Sequence, residues 1–211
     1  MIAEAENEHP PIPEIARIGV VGAGQMGGGI AQVAAQTGFD VRLLDVDQAR
    51  LDGAMERIKI GLERLAKRGT IRDGEVHAAL ARIKTGLDYA MFDESELVIE
   101  AASENEEIKR KILQVLRPEA VIATNTSSIS ITRLAATTDR PERFIGMHFM
   151  NPVPRMQLVE VIRGIATQED TYRAVRTVAD KMGKQSVTAE DFPAFIVNRI
   201  LLPMINEAVY T

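Results

Sequence analysis

A histidine and a glutamate flank a proline-bounded turn in the segment HFMNPVPRMQLVE, which runs from His148 to Glu160. Glu160 is the charged residue of the apolar run LVEVI, and a buried carboxylate is costly unless a partner compensates its charge. An imidazole is a suitable partner, because a carboxylate fixes its tautomer and stabilises its charged form. The pair predicts a general base that works near neutral pH. The alternative is a strand-end histidine and a glutamate that faces solvent, and these two residues alone do not decide between the two interpretations.

A glycine loop at residues 22–27, GAGQMG, directly follows a predicted strand and opens a predicted helix. This context is typical of a dinucleotide-binding fingerprint. Gly22 permits a tight turn, Gly24 lets the backbone approach a pyrophosphate, and Gly27 lets the helix pack against the strand. The helix N-terminus adds amide donors and partial positive charge. The predicted cofactor-binding residues of this loop are Gly22, Gly24, Gln25, Met26 and Gly27.

Asp45 lies at the end of the second predicted strand, 18 positions after Gly27. From there its carboxylate can accept hydrogen bonds from the adenosine ribose hydroxyls, whereas it would repel a 2′-phosphate. Asp45 therefore favours NAD over NADP as the cofactor. The alternative is a glycine-rich turn in which Asp45 is an ordinary strand-end cap.

The hydroxyl-rich segment TNTSSIS, Thr124 to Ser130, follows another predicted strand. Ser128 or Ser130 is suited to cap a helix that begins near Ile131, since short hydroxyl side chains accept from the first amides of a helix. Ser127 is the residue that we assign to substrate, because a hydroxyl just past a strand end can reach over a nicotinamide. Ligands of open parallel sheets bind at this edge.

The segment EAASENEEIKR ends a further strand and puts Glu104 and Lys109 at the start of a predicted helix. Mixed charge of this kind usually forms a solvated helix face. The residues alone favour that interpretation over a functional one.

The elements that must position these residues alternate as strand, helix, strand and helix from Ile15 onward. This succession predicts an α/β fold, a Rossmann-type doubly wound and mostly parallel sheet with helices on both faces. Apolar residues at three- and four-residue steps predict a helical hairpin, formed by residues 47–67 and 73–83, inserted into the sheet order. The other predicted helices before the C-terminal segment span residues 25–36, 104–116 and 171–182. The predicted strands span residues 17–22, 41–45, 97–101, 120–124, 144–148, 157–162 and 185–189.

Composition narrows the function classes. The 211 residues include 25 basic and 30 acidic side chains, which gives a net charge of −5. The sequence has no long run of lysine and arginine. Both features argue against nucleic acid as a partner. The absence of cysteine excludes disulfides, thiolate metal sites and cysteine nucleophiles. It also fits a reducing compartment, and we expect a cytoplasmic protein. We expect no bound metal. Residues 1–13 are acidic and proline-broken, unlike a secretory signal, and are predicted to be a flexible leader. No apolar run reaches the length of a membrane span.

Four segments in order make the chain resemble the 3-hydroxyacyl-CoA dehydrogenase family, including its bacterial 3-hydroxybutyryl-CoA members: GAGQMGGGIA, TNTSSISI, HFMNPVPRMQLVEV and FIVNRILLPMINEA. The resemblance runs from about Arg17 to the last residue. It implies NAD-dependent, reversible oxidation of (S)-3-hydroxyacyl-CoA to 3-ketoacyl-CoA, in fatty-acid or butanoate metabolism. It also implies that His148 removes the proton of the 3-hydroxyl with Glu160 as its partner, and that Ser127 and Asn198 hold the substrate oxygens.

The resemblance implies further contacts as well. Glu104, Lys109, Ser127 and Asn151 match the family positions that contact the nicotinamide half of NAD. The helical hairpin is where the family binds coenzyme A. An ungapped match of that hairpin puts a basic family position on Arg68, whereas a family serine that touches the coenzyme falls on a glycine, Gly61, in this sequence.

The C-terminal segment carries a wide apolar stripe that needs a partner. We predict a domain plan of 14–191 for the NAD-binding domain and 192–211 for the first helix of an all-helical domain, with a kink or break at Pro203. In the family that domain closes the acyl pocket and forms the dimer, so a homodimer or larger homo-oligomer is expected. Two alternatives stay open: an NAD-binding domain with little turnover because its C-terminal domain is missing, and a related dehydrogenase of free hydroxy acids such as sugar acids. The stripe consists of Phe195, Ile196, Ile200, Leu201, Met204, Ile205, Ala208 and Val209.

Overall fold

The computed structural model describes residues 12–116 and 119–211, and an eight-stranded sheet forms the centre of this part of the chain. Most of the predicted leader, residues 1–13, lies outside the described residues. The strands are β1 (Arg17–Val21), β2 (Asp40–Leu44), β3 (Ile83–Gly86), β4 (Leu97–Glu100), β5 (Val121–Thr124), β6 (Phe144–Phe149), β7 (Leu158–Arg163) and β8 (Gln185–Glu190). The α-helices are α1 (Gln25–Gln36), α2 (Gln48–Lys67), α3 (Asp73–Arg82), α4 (Glu106–Gln114), α5 (Ile131–Ala135), α6 (Glu169–Lys181) and α7 (Val197–Tyr210).

The sheet order is β3-β2-β1-β4-β5-β6-β7-β8. Every neighbouring pair is parallel except β6 and β7, which are antiparallel. The order reverses between β1 and β4, and the crevice outside the carboxyl ends of the strands at such a point is where open α/β sheets bind ligands. The predicted doubly wound, mostly parallel sheet is therefore confirmed.

Two apolar cores lie on the two faces of the sheet. Side chains alternate between them along a strand, so that Leu43 of β2 joins one core and Leu44 joins the other. Helices α1, α2, α3 and α6 contribute to the first core, and α4 and α5 contribute to the second. Strands buried on both faces require continuous apolar runs, which explains sequences such as IGVV and LVI.

Short polar side chains start several helices. Asp47 caps α2 by accepting from the amide of Ala49 at 2.8 Å. Asn105 caps α4, and Ser130 caps α5 by accepting from the amide of Arg133 at 3.2 Å. The prediction that Ser128 or Ser130 caps a helix near Ile131 is thus confirmed for Ser130.

Some predicted boundaries are wrong. Helix α4 begins at Glu106, so that Glu104 lies in the turn before the helix rather than at its start. The sequence pattern also missed β3, because the strand is short and follows α3 without a turn. The predicted hairpin, α2 with α3, is confirmed and lies between β2 and this edge strand.

Helix α7 differs most from expectation. Its predicted first residues form turns instead, and Ala194 and Phe195 there have positive φ angles of 67° and 48°. The helix continues through Pro203 without the predicted break. None of its residues is buried, so the part of the predicted apolar stripe that lies on α7 faces outward in the described part of the chain. Phe195, which precedes the helix, is instead buried. No helix among the described residues combines the length and the apolar character that crossing a membrane requires.

Candidate active site

The two strands of the antiparallel pair bring the predicted dyad together. His148 on β6 stands directly opposite Glu160 on β7. The Nδ1 atom of His148 lies 2.6 Å from Oε2 of Glu160. Both side chains are buried, with exposed fractions of 6% for His148 and 0% for Glu160. Because this strand register pairs the imidazole with the carboxylate in the protein interior, the hydrogen bond between them is short and charge-assisted.

The surroundings of Glu160 keep it ionised. Its second oxygen, Oε1, accepts from the backbone amides of Ile196 and Val197, each at 2.8 Å. Burial alone would raise the pKa of Glu160, but the hydrogen bonds from His148 and from these amides hold that pKa below its ordinary value. An ionised Glu160 accepts the Nδ1 proton and leaves the lone pair of His148 on Nε2. This is the tautomer that a general base needs.

An aromatic ring covers the dyad. Phe195 is 4% exposed, and its ring centroid lies 6.0 Å from that of His148 with the two planes tilted by 58°. A buried apolar ring beside His148 lowers the local dielectric constant, which strengthens the charge interaction between His148 and Glu160.

The Ser127 segment is held by one carboxylate oxygen. Oε1 of Glu104 accepts from Thr126 Oγ1 at 2.6 Å, from the amide of Ser127 at 2.8 Å and from Ser128 Oγ at 3.2 Å. Burial would raise the pKa of Glu104, but these hydrogen bonds, together with the charge of Lys109, hold it below its ordinary value. Glu104 therefore fixes the loop that carries Ser127. The interpretation of this segment as a solvated helix face of mixed charge did not predict that role.

Asn198 reaches the same loop from α7. Its Nδ2 donates to the carbonyl oxygen of Ser127 at 3.3 Å. The structure thus brings Ser127 and Asn198 together, as predicted for two residues that act on one substrate. Their contact with a substrate oxygen stays a prediction.

Lys109 is one of the most buried side chains of the protein, with an exposed fraction of 1%. Its Nζ donates to both oxygens of Glu100, at 2.9 Å and 2.8 Å, and lies 3.6 Å from Oε2 of Glu104. Glu100, which is fully buried, also accepts from Thr124 Oγ1 and from the amide of Ala102. Sequence reasoning missed Glu100, although a charge in the apolar strand LVIE is the same signal that singled out Glu160.

The glycine loop has the geometry of its predicted role. Gly22 has a φ angle of +100°, which favours glycine, and a Cβ atom there would lie 2.7 Å from the carbonyl oxygen of Ala101. A Cβ atom at Gly27 would lie 1.8 Å from the carbonyl oxygen of Gly22. At Gly24 a Cβ atom would meet no heavy atom within 4 Å, so that the backbone before α1 is open to a ligand. No side chain caps α1, and its first amides are left for an anion.

Asp45 anchors this loop and also faces the cavity beside it. Oδ2 accepts from the amide of Ala23 and Oδ1 from the amide of Val46, both at 2.8 Å. The Nη1 atom of Arg50 lies 3.8 Å from Oδ1. Asp45 therefore does cap the end of the strand, as the alternative interpretation predicts. This role is compatible with ribose binding, because each carboxylate oxygen can accept more than one hydrogen bond.

A cavity of about 600 Å³ lies along the glycine loop, and Asp45 is part of its wall. Sequence reasoning missed Tyr89, Ile108 and Ile112, which give the cavity its apolar side. Burial, together with the charges of Glu100 and Asp45, raises the pKa of Tyr89. The residues that line the cavity are Val21, Gly22, Gly24, Gln25, Met26, Leu44, Asp45, Val46, Arg50, Tyr89, Ala101, Ala102, Ser103, Ile108 and Ile112.

Gln25 links the cavity to the turn between the dyad strands. Its Nε2 donates to Oδ1 of Asn151 at 3.0 Å. Asn151 is therefore positioned next to the glycine loop, as expected for a residue that contacts a cofactor lying across the sheet edge. Met26 and Gln25 both line the cavity.

The residues predicted to contact coenzyme A lie outside the cavity beside the glycine loop. Arg68 is exposed at the C-terminal cap of α2 and is not among the residues that line the 600 Å³ cavity. A Cβ atom at Gly61 would lie 2.8 Å from Oε1 of Gln32, so that Gly61 packs closely against the side chain of an α1 residue. A serine in place of Gly61 would have to displace that amide. The role of Arg68 stays a prediction.

Comparison with known proteins identifies the family. Residues 17–192 match the model of the 3-hydroxyacyl-CoA dehydrogenase, NAD binding domain. A 3-hydroxybutyryl-CoA dehydrogenase of Bradyrhizobium diazoefficiens is 57% identical over 201 residues, which cover 93% of this chain and 69% of the relative. A probable 3-hydroxybutyryl-CoA dehydrogenase of Bacillus subtilis is 49% identical over 93% of this chain and 70% of the relative.

Solved structures agree with the sequence comparisons. The crystal structure of (S)-3-hydroxybutyryl-CoA dehydrogenase PaaH1 from Ralstonia eutropha superposes with a TM-score of 0.90 and 46% identity, over 92% of this chain and 70% of that one. The matched region contains the glycine loop, the Ser127 segment and the dyad strands. The chain therefore belongs to the 3-hydroxyacyl-CoA dehydrogenase family, of which it contains the NAD-binding domain.

Proposed function

We propose that the protein is an NAD-dependent oxidoreductase that interconverts (S)-3-hydroxyacyl-CoA and 3-ketoacyl-CoA, with 3-hydroxybutyryl-CoA as the substrate class. The observation that carries the proposal is the buried contact of 2.6 Å between His148 Nδ1 and Glu160 Oε2. It supplies the base that oxidation of an alcohol requires. The names of the Bradyrhizobium and Bacillus relatives support the short acyl chain. A relative from Psychrobacter arcticus named fatty acid oxidation complex subunit alpha, 43% identical over 90% of this chain, supports a role in fatty-acid oxidation.

His148 performs the proton transfer in this proposal. Nε2 of His148 accepts the proton of the 3-hydroxyl group as the carbonyl forms, and Glu160 stabilises the resulting imidazolium through Nδ1. In the reverse direction the imidazolium returns that proton to the 3-keto oxygen. Ser127 and Asn198 orient the C3 oxygen, which keeps the substrate in a reactive geometry.

The residues of the glycine loop and the cavity fit NAD. Gly24 leaves room for the pyrophosphate, the first amides of α1 face it, and Asp45 is suited to accept from the adenosine ribose. When bound, NAD supplies the hydride acceptor. We propose that Glu104, Lys109, Ser127 and Asn151 form the nicotinamide end, since Glu104 fixes the Ser127 loop and Gln25 holds Asn151.

A second candidate function is that of a domain that binds the cofactor but turns over little substrate. The exposure of α7 favours it, because Asn198 lies on a helix none of whose described residues is buried, so that few packing contacts fix its position. The same exposed surface supports association of the chain into a homodimer or larger oligomer. We also propose the cytoplasm as its compartment, on the absence of cysteine.

A spectrophotometric assay separates the functions. Acetoacetyl-CoA is added to the protein with NADH, and the absorbance of the reduced nicotinamide is followed. Loss of that absorbance is the expected result. Binding of NADH without its oxidation would support the domain of low turnover, and oxidation of NADH with free keto acids but not with the CoA ester would support the sugar-acid alternative.

Two alanine substitutions in the glycine loop test the cofactor site. Gly24→Ala adds a methyl group to open space, so we expect an unchanged thermal midpoint and an affinity for NADH that falls about tenfold or more, because the methyl group lies where the pyrophosphate approaches. Gly27→Ala forces a Cβ atom against the carbonyl oxygen of Gly22, so stability itself should fall by about 2–3 kcal/mol. Thermal unfolding and fluorescence titration with NADH measure both. Equal effects of the two substitutions on stability would contradict this division of roles.

A further inference from the structure

A short linker joins β8 to α7 and passes beside the dyad. We define the linker as residues 191–196, between the end of β8 and the start of α7 at Val197. Ala194 and Phe195 in it have φ angles of 67° and 48°, which are unfavourable for residues with a Cβ atom. A backbone path of this kind persists only where contacts on both sides hold it.

Asp191 holds the first end of the linker on α5. Oδ2 accepts from Ser130 Oγ at 2.7 Å and from the amide of Thr132 at 2.8 Å, and Oδ1 accepts from the amide of Ile131 at 2.9 Å. Partial burial would raise the pKa of Asp191, but these hydrogen bonds hold it below its ordinary value. Asp191 is therefore an ionised anchor in the neutral range.

Glu160 holds the other end. The amides of Ile196 and Val197 donate to Oε1 of Glu160, and the next residue, Asn198, donates to the carbonyl oxygen of Ser127. Four residues, 192–195, thus separate Asp191 from the first of the two amides that fix Glu160. Because two residues between them are strained, release of the Asp191 end would let the linker relax and move those amides.

We propose that Asp191 is a positioning residue for the His148–Glu160 dyad, an assignment that rests on the proposed function. By fixing the linker on α5, Asp191 keeps two amide donors on Oε1 of Glu160. Oε2 then stays in line with Nδ1 of His148. Asp191 acts through Glu160 and does not itself transfer a proton.

The Nδ1 proton of His148 reports on this geometry without any turnover. The chain has three histidines, so that imidazole N–H resonances are few. A proton in a contact of 2.6 Å to a carboxylate gives a strongly downfield resonance. We expect this resonance in the wild-type protein, its loss in Glu160→Gln, and its loss or a clear upfield shift in Asp191→Ala. Asp191→Asn keeps one acceptor oxygen and should give an intermediate shift.

Glu190→Gln is the matched control. Glu190 precedes Asp191, and its exposed side chain makes no hydrogen bond to a residue that the structure describes. The control removes the same charge and should leave the resonance unchanged. A wild-type resonance retained in both folded Asp191 variants would overturn the proposal. If Asp191→Ala does not fold, the position of the resonance in Asp191→Asn decides the result.

A double-mutant cycle then links Asp191 to the reaction. Asp191→Ala should lower kcat by ~10²-fold, since a small displacement of a catalytic group has an effect of this size. In the Glu160→Gln background the same substitution should change kcat less than about threefold, because its target is already removed. Equal effects in both backgrounds would mean that Asp191 is merely structural. If the wild type does not oxidise NADH with acetoacetyl-CoA, the proposed function fails while the resonance still tests Asp191.

Discussion

Replacing either member of the dyad should abolish most turnover and leave the cofactor site intact. We expect His148→Gln and Glu160→Gln each to lower kcat by ~10³-fold, the range in which loss of a general base and its orienting carboxylate falls. Glu160→Gln keeps a carbonyl oxygen for the amides of Ile196 and Val197 but presents an amide donor, which cannot accept, to Nδ1 of His148. The double variant should lose little more than either single variant, because the two residues act as a unit.

Three measurements check this prediction. Steady-state rates with acetoacetyl-CoA give kcat, fluorescence titration gives the affinity for NADH, and thermal unfolding gives stability. His77→Gln is the matched control, since His77 is an exposed histidine on α3. NADH affinity should stay within about threefold of wild type in all variants. A fall in NADH affinity as large as the fall in kcat would assign the pair to binding rather than to proton transfer.

The direction of the pH dependence follows from the protonation states. Oxidation of the hydroxyl needs neutral His148, whereas reduction of the keto group needs the imidazolium. The two directions should therefore have opposite pH dependences, with oxidation favoured at higher pH and reduction at lower pH. The pKa of Glu160 is held below its ordinary value, so Glu160 is ionised in the neutral range. The contribution of Glu160 to stability is present above the unfolded pKa of about 4.5 and is lost as pH falls through the lower folded pKa.

Much of the fold could be predicted because the strands are buried on both faces and are separated by strong helix periodicity. The predicted bounds of α1 match the structure, since a glycine loop begins the helix and Gly38, with a φ angle of +102°, follows it closely. The β3 strand could not be predicted, because IKTG has only one buried residue and follows α3 directly. The turns before α7 were missed because an apolar helical pattern does not reveal where positive φ angles interrupt it.

The site could be predicted where a residue type has few structural explanations at its position in the sequence. A charge in an apolar strand pointed to Glu160, and the strand register then put His148 opposite it. The amides that cap Glu160, and the anchor of the linker at Asp191, depend on contacts between segments distant in sequence. Side-chain spacing carries no information about such contacts, so they emerge only from the fold.

Breaking the buried ion pair of Glu100 and Lys109 should have the largest effect on stability. Lys109→Met leaves the Glu100 carboxylate fully buried with two neutral donors, Thr124 Oγ1 and the amide of Ala102, and no cation. A buried charge that loses its partner typically costs ~3–5 kcal/mol. We therefore expect Lys109→Met to lower the free energy of unfolding by about 4 kcal/mol, measured by chemical denaturation at neutral pH.

Glu100→Gln should destabilise the protein less than Lys109→Met does. Its amide keeps an acceptor for Thr124, and Lys109 retains Glu104, whose Oε2 already lies 3.6 Å from Nζ. The double variant Glu100→Gln/Lys109→Met should recover part of the loss, because no buried charge is then left without a partner. Arg110→Met on the same helix is the control, since Arg110 is partly exposed and pairs with Glu106 near the surface. If Lys109→Met proves no more destabilising than this control, the pair does not stabilise the fold.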